Sequence, residues 1–185
     1  GRVWFTDPFN ASAGDQELDH MSVLRLDPKG SDQWELTRAT YDVSRPNGIL
    51  ISRDQKTLYV AQSDYSPDQP RELRAYPIND DGSLGEAASV MKHEGSSIDE
   101  KRQKQPYGHS VNFSPDNRFL ITADLGAAKL FIYKINSEKA TLEANDPPSV
   151  SVKAGGGPRH FTFHPSGRYA YVINEMGNTI TAFTY

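Results

Sequence analysis

The chain has 185 residues, with 20 basic against 24 acidic side chains and a formal net charge of −4. That length supports one domain with a core, and the charge balance gives no general reason to expect binding to nucleic acid or to an anionic membrane surface. Cysteine is absent, which removes disulfides and thiolate metal sites, and no apolar run approaches the roughly 18 residues of a membrane-spanning helix.

In chain order, GRVWFTDP (1–8) reads as a strand, followed by MSVLRLDP (21–28) and the weaker WELTRATY (34–41). ISRDQKTLYVAQSD (51–64) predicts a hairpin, with a polar turn at Arg53-Asp54-Gln55-Lys56 before a β-branched and aromatic run. ELRAYPIN (72–79) is a further strand. FSPDNRFLITADLG (113–126) repeats the hairpin pattern with Pro115-Asp116-Asn117-Arg118 at its turn. KLFIYKIN (129–136) and the weaker PSVSVKA (148–154) follow. FHPSGRYAYVINEM (163–176) is a third copy, turning at Pro165-Ser166-Gly167-Arg168, and TITAFTY (179–185) closes the series.

The three hairpins are anchored at Ser52, Ser114 and His164, 62 and 50 residues apart. A period in this range with about four short strands per unit marks the blades of a β-propeller. A β-sandwich gives no reason for a hairpin repeated at blade spacing. The fold class is therefore all-β. With strands lettered a to d from the channel outward, the chain holds b-c-d, two full blades, then a-b-c. That makes three and a half to four blades, part of a larger ring or of one closed by a second copy of the chain. Open sheet edges would otherwise invite aggregation.

Alignment of the copies puts different polar residues at equivalent places. Five residues before the anchors stand Asn47, His109 and Arg159, at the start of the innermost strand. Ten residues after them stand Gln62, Asp124 and Asn174, with Asp7 of the partial first copy in the same column; Glu175 follows Asn174. Polar groups at one height around a channel converge on its mouth, the default place for a ligand. The alternative for each is a hydrogen bond to a neighbouring loop.

Two resemblances cover most of the chain. GRVWFTDP, ELDHMSVLRLDPKG and RPNGILISRDQKTLYVAQSD, within residues 1–70, resemble the gluconolactonase/regucalcin family of metal-dependent lactonase propellers. From about residue 80 to 185 the text resembles the seven-bladed lactonase family that includes propeller-type 6-phosphogluconolactonases, through KRQKQPYGHSVNFSPDNRFLITADLG and NDPPSVSVKAGGGPRHFTFHPSGRYAYVINE. On this reading 1–79 and 80–185 are two sets of blades of one propeller, joined within 70–86. The first resemblance implies metal ligands at Asn47 and Asp7 and a divalent cation such as Ca²⁺, which takes six to eight oxygens. The second, with its relatives the muconate-type cycloisomerases, implies a catalytic set of His109, Arg159 and Glu175. It also departs from the family's Pro-His-x-His, since Tyr107 stands in PYGH where the first His is usual.

The implied activity is hydrolysis of a sugar lactone, with a small-molecule substrate and no nucleic-acid or membrane partner. His109 has an ordinary pKa suited to a base near neutrality. Glu175 orients that His or is the base itself, and Arg159 offers a fork of donors to an oxyanion, a carboxylate or a sugar phosphate. Tyr107, His160, Asp124, Asn174 and Arg102 are candidate substrate contacts. Lys101, Arg102 and Lys104 bind a phosphate or only solvent. The alternatives are a non-catalytic propeller scaffold, an incomplete piece of a lactonase, and a cycloisomerase. No signal-peptide pattern is visible, and the compartment, cytoplasm or periplasm, stays open. GGGP (155–158) lacks the Lys-Ser/Thr of a phosphate loop and reads as a turn. Asp19-His20 reads as solvated, and Asn10-Ala11-Ser12 fits a glycosylation triplet that is common by chance. The aromatics Trp4, Phe113, Phe131, Tyr133, Phe161, Phe163, Tyr171 and Phe183 read as packing between blades.

Overall fold

The computed structural model describes residues 1–8 and 18–185; Asn10-Ala11-Ser12 lies outside them. Fourteen strands form four antiparallel sheets. The first is β1 (Val3–Asp7), β2 (Ser22–Pro28) and β3 (Trp34–Arg38). The second is β4 (Pro46–Ile51), β5 (Thr57–Gln62), β6 (Glu72–Pro77) and β7 (Ser89–Lys92). The third is β8 (Gly108–Phe113), β9 (Phe119–Asp124), β10 (Lys129–Asn136) and β11 (Thr141–Ser151). The fourth is β12 (Pro158–Phe163), β13 (Tyr169–Asn174) and β14 (Thr179–Thr184). In each sheet, strands adjacent in sequence are adjacent in space. This is the b-c-d, two-blade, a-b-c arrangement expected from the repeat. Two strands differ from expectation. The four-residue β7 gives too short an alternation to stand out, and β11 begins at Thr141, seven residues before the run that suggested it.

The hairpin turns repeat bond for bond. Ser52 N donates to Thr57 O, Ser114 N to Phe119 O and His164 N to Tyr169 O. The third turn residue has positive φ in every copy: 60° at Gln55, 60° at Asn117 and 71° at Gly167. Side chains reinforce the turn. Ser52 Oγ accepts from Thr57 N and Ser114 Oγ from Phe119 N, both at 2.9 Å.

Three apolar clusters hold the blades face to face. Val23 and Val43 meet Leu58, Val60 and Tyr76 between the first two sheets. Tyr59, Ala61, Leu73 and Ala75 meet Val111, Leu120, Tyr133 and Leu142 between the second and third. Ile121, Ala123, Leu130 and Val152 meet Phe161, Ala170 and Val172 between the third and fourth. The second strands of the two four-stranded sheets are thus buried on both faces: every residue of β5 is buried, and all but the first of β9. Such strands read as continuous apolar runs, whereas outermost β3 leaves Trp34 and Leu36 about half exposed, at 51% and 53%. Tyr59 and Phe113 pack edge to face across an interface, with centroids 5.7 Å apart, the inter-blade role expected of the aromatics.

Candidate functional site

The innermost strands β4, β8 and β12 carry Asn47, His109 and Arg159 at their second residue. Each sits at an irregularity of the ladder: the register shifts between Pro46 and Ile49, Gly108 and Ser110, and Pro158 and His160. A bulge re-aims a side chain at a sheet rim. The same device, used three times, takes these polar residues out of the inter-blade packing. Close approach of the strands also needs Gly48, where a Cβ would lie 2.8 Å from His109 O and 3.0 Å from Ser110 Cα.

Around His109 the rim is basic. Arg159 Nε lies 2.8 Å from Glu175 Oε2, and Arg102 Nη2 lies 2.6 Å from Glu175 Oε1. One carboxylate is thus held by two guanidiniums, which keep its pKa below the usual carboxylate value against the opposing effect of burial. Arg159 Nη1 donates to His160 Nε2 at 3.0 Å, so that nitrogen is an acceptor and His160 is neutral. The His160 ring meets His109 edge-on at 5.2 Å. Burial, and then the positive charge of Arg159, push the His109 pKa down to about 4. His109 Nδ1 is buried without a protein partner. The structure therefore brings together His109, Arg159, His160, Glu175 and Arg102.

The remaining candidates are placed differently. Asp124 is fully buried; its Oδ1 accepts from Tyr107 N at 2.8 Å and Ala127 N at 2.9 Å, and its Oδ2 lies 2.7 Å from His93 Nδ1. Asn174 is buried and donates to Thr179 and Thr181. Tyr107 is 3% exposed and packs on Tyr65 with centroids 4.7 Å apart. Asp124 and Tyr107 are buried beneath the rim, and Asn174, also buried, lines a concavity with Arg159, His160 and Glu175. Asp124 pins the backbone two residues before His109. His93 is its partner, stacked on Phe131 at 4.2 Å. Nothing in the repeat singles out His93, which follows the short β7.

Asn47 Nδ2 donates to Ser63 Oγ at 3.2 Å, and the main-chain carbonyl of Asn47 accepts from Thr6 Oγ1 at 2.9 Å. Asp7 ends β1, in the column of Gln62, Asp124 and Asn174. Among the described residues, no group of three or more His, Asp or Glu is arranged to hold a metal ion. Asn47 and Asp7 by themselves do not meet the demand of Ca²⁺ for six to eight oxygens, and no step below is routed through a cation.

Comparison with known proteins gives the family of the chain. A family profile described as "Lactonase, 7-bladed beta-propeller" matches residues 11–185. The chain belongs to that family. The 6-phosphogluconolactonase of Bacillus subtilis is 32% identical over 143 residues, covering 77% of this chain and 39% of that protein. The 6-phosphogluconolactonase of Formosa agariphila is 30% identical over 145 residues, 77% of this chain and 40% of that one. The periplasmic gluconolactonase of Pseudomonas aeruginosa superposes with a TM-score of 0.83 at 28% identity, covering all of this chain and 50% of that structure. The chain spans half or less of the length of these lactonase-family relatives.

Proposed function

We propose that the rim around His109 opens sugar lactones by hydrolysis. The observation that carries this reading is a neutral imidazole beside an arginine whose carboxylate partner is fully engaged. Relatives named 6-phosphogluconolactonase and gluconolactonase support the same class of reaction.

In this reading a water on His109 attacks the lactone carbonyl while the imidazole takes its proton. The tetrahedral oxyanion is stabilised by the guanidinium of Arg159. Collapse breaks the ring C–O bond, and His109 returns the proton to the departing alkoxide, giving the open hydroxy acid. The geometry favours His109 over Glu175 as the base. Both carboxylate oxygens of Glu175 are bonded to arginines, and its lowered pKa makes it a weak acceptor. Glu175 instead fixes the orientation of Arg159.

Steady-state kinetics on glucono-δ-lactone and 6-phosphogluconolactone test these roles. Arg159→Ala lowers kcat by about 10²- to 10³-fold, as loss of an oxyanion donor does. Glu175→Gln, which keeps the shape and loses the charge, costs less. A Glu175→Gln loss larger than that of His109→Gln would make Glu175 the base. A ring-closed product accumulating from an open acid would replace hydrolysis with the cycloisomerase direction.

A further inference from the structure

The innermost strand of the third sheet is held at its entry from the second. His93, directly after β7, bonds to its own sheet by donating its N–H to Arg71 O at 2.8 Å. Its side chain, 1% exposed, leaves that sheet to meet Asp124 of β9, with Nδ1 2.7 Å from Oδ2. A carboxylate only accepts, so the proton of this bond is on Nδ1. Asp124 Oδ1 in turn accepts from Tyr107 N at 2.8 Å and Ala127 N at 2.9 Å. The imidazole stacks on Phe131, with centroids 4.2 Å apart. Its edge lies against Gly108, where a Cβ would be 3.6 Å from His93 Cε1 and 3.2 Å from Ala61 Cβ. Residues 107 and 108 are thus fixed from two sides, and the next residue is His109.

The neighbouring blades do the corresponding work without charge. Gln62, at the place of Asp124 in the second sheet, accepts through Oε1 from Ser44 N at 2.8 Å, three residues before Asn47. Asn174, at that place in the fourth, turns its amide to Thr179 and Thr181 of its own sheet. Of the three, Asp124 alone is a carboxylate, and its partner is an imidazole from another blade. A fully buried carboxylate is a costly way to tie down backbone that an amide ties down next door. It stands under the one blade whose rim residue is His109.

We infer that His93 is a positioning residue for His109: through Asp124 it fixes the backbone at Tyr107 and Gly108, and so sets where the imidazole of His109 stands relative to Arg159 on the next blade. The inference rests on the lactone reading of the site. His93 touches no substrate; it acts through one carboxylate and two residues of main chain. The bond that matters is the one from Nδ1, since it keeps Asp124 turned towards Tyr107 N. A small displacement of a base from its reacting partner is enough to slow a reaction by orders of magnitude.

Three substitutions separate this role from plain packing. His93→Phe keeps a ring on Phe131 and loses the donor. His93→Asn loses the ring and presents an amide N–H where Nδ1 stood, whereas His93→Gln presents it where Nε2 stood. Thermal unfolding, lactone kinetics and the titration of the His109 ring by NMR are measured on each. His93→Phe and His93→Gln are expected to lower kcat by about 10- to 100-fold with KM within about twofold. Their His109 ring, less firmly buried, titrates above the wild-type value of about 4. His93→Asn unfolds at a lower temperature than the wild type yet keeps most of kcat and the wild-type titration. If His93→Phe does not fold, the contrast between Asn and Gln decides. Activity that follows stability alone across the variants overturns the inference, as does a folded His93→Phe with wild-type kcat and titration. If the titrations behave as expected but neither lactone is hydrolysed, the lactone reading fails and the positioning stands. If hydrolysis is found and is indifferent to position 93, the reverse holds.

Discussion

At the scale of single residues, the proposed chemistry rests on His109. Its imidazole is held neutral by burial and by Arg159, with a pKa of about 4 against an ordinary 6.5. This has a consequence for stability. Above pH 6.5 the histidine is neutral in both folded and unfolded chains and contributes nothing. As the pH falls from 6.5 towards 4, the unfolded chain takes up a proton that the folded one refuses, so stability is lost across that window. His160, shifted in the same direction by burial and Arg159, adds to the loss. Thermal unfolding between pH 7 and 4 is expected to show a midpoint that falls less steeply in His109→Gln than in the wild type. Equal slopes would mean that His109 titrates normally. The polar character of position 109 was legible in the repeat, because alignment of three hairpins set it beside Asn47 and Arg159. The shifted pKa was not, since it comes from burial in the assembled rim and then from Arg159 and His160 of the next blade, 50 and 51 residues away in the chain.

At the scale of elements, the site depends on how closely the innermost strands approach. Gly48 lets β4 lie against the backbone of His109 and Ser110, and a methyl group there would lie 2.8 Å from His109 O. Backbone cannot move aside as a flexible side chain can. Gly48→Ala is expected to displace β8, lower lactone hydrolysis and cost about 1–3 kcal/mol of stability, as overpacking does. Urea unfolding with parallel kinetics checks both effects, and an alanine variant with wild-type stability and rate would show that the strands have room. Strand positions were largely legible because each hairpin carries its own turn chemistry: Asp, Asn, Ser or Gly where the chain reverses. The bulges at Asn47, His109 and Arg159 were not, because a bulge is a property of two paired strands. The clamp of Arg102 and Arg159 on Glu175 was hidden for a similar reason. It joins a loop between two blades to the turn at the end of β13.

At the scale of the whole molecule, four sheets stand face to face around an axis, with three apolar clusters between them. The second, third and fourth sheets each carry one polar residue at the second position of the innermost strand. Asp124 and His93 tie the second blade to the third, directly beneath the strand that bears His109. The architecture therefore sets unlike polar groups at equivalent positions of successive sheets, and in the proposed reaction that unlikeness permits a base, an oxyanion donor and an anchoring carboxylate to meet. The central claim is that a neutral His109 in this ring drives lactone opening. The measurement that tests it most directly is kcat/KM for 6-phosphogluconolactone from pH 4 to 8 in the wild type and in His109→Gln. The account predicts a rate that holds down to about pH 5, falls as His109 protonates near pH 4, and is lower by about 10²- to 10⁴-fold throughout in the variant. A variant as active as the wild type, or an acid limb near 6.5 that survives the substitution, would contradict it.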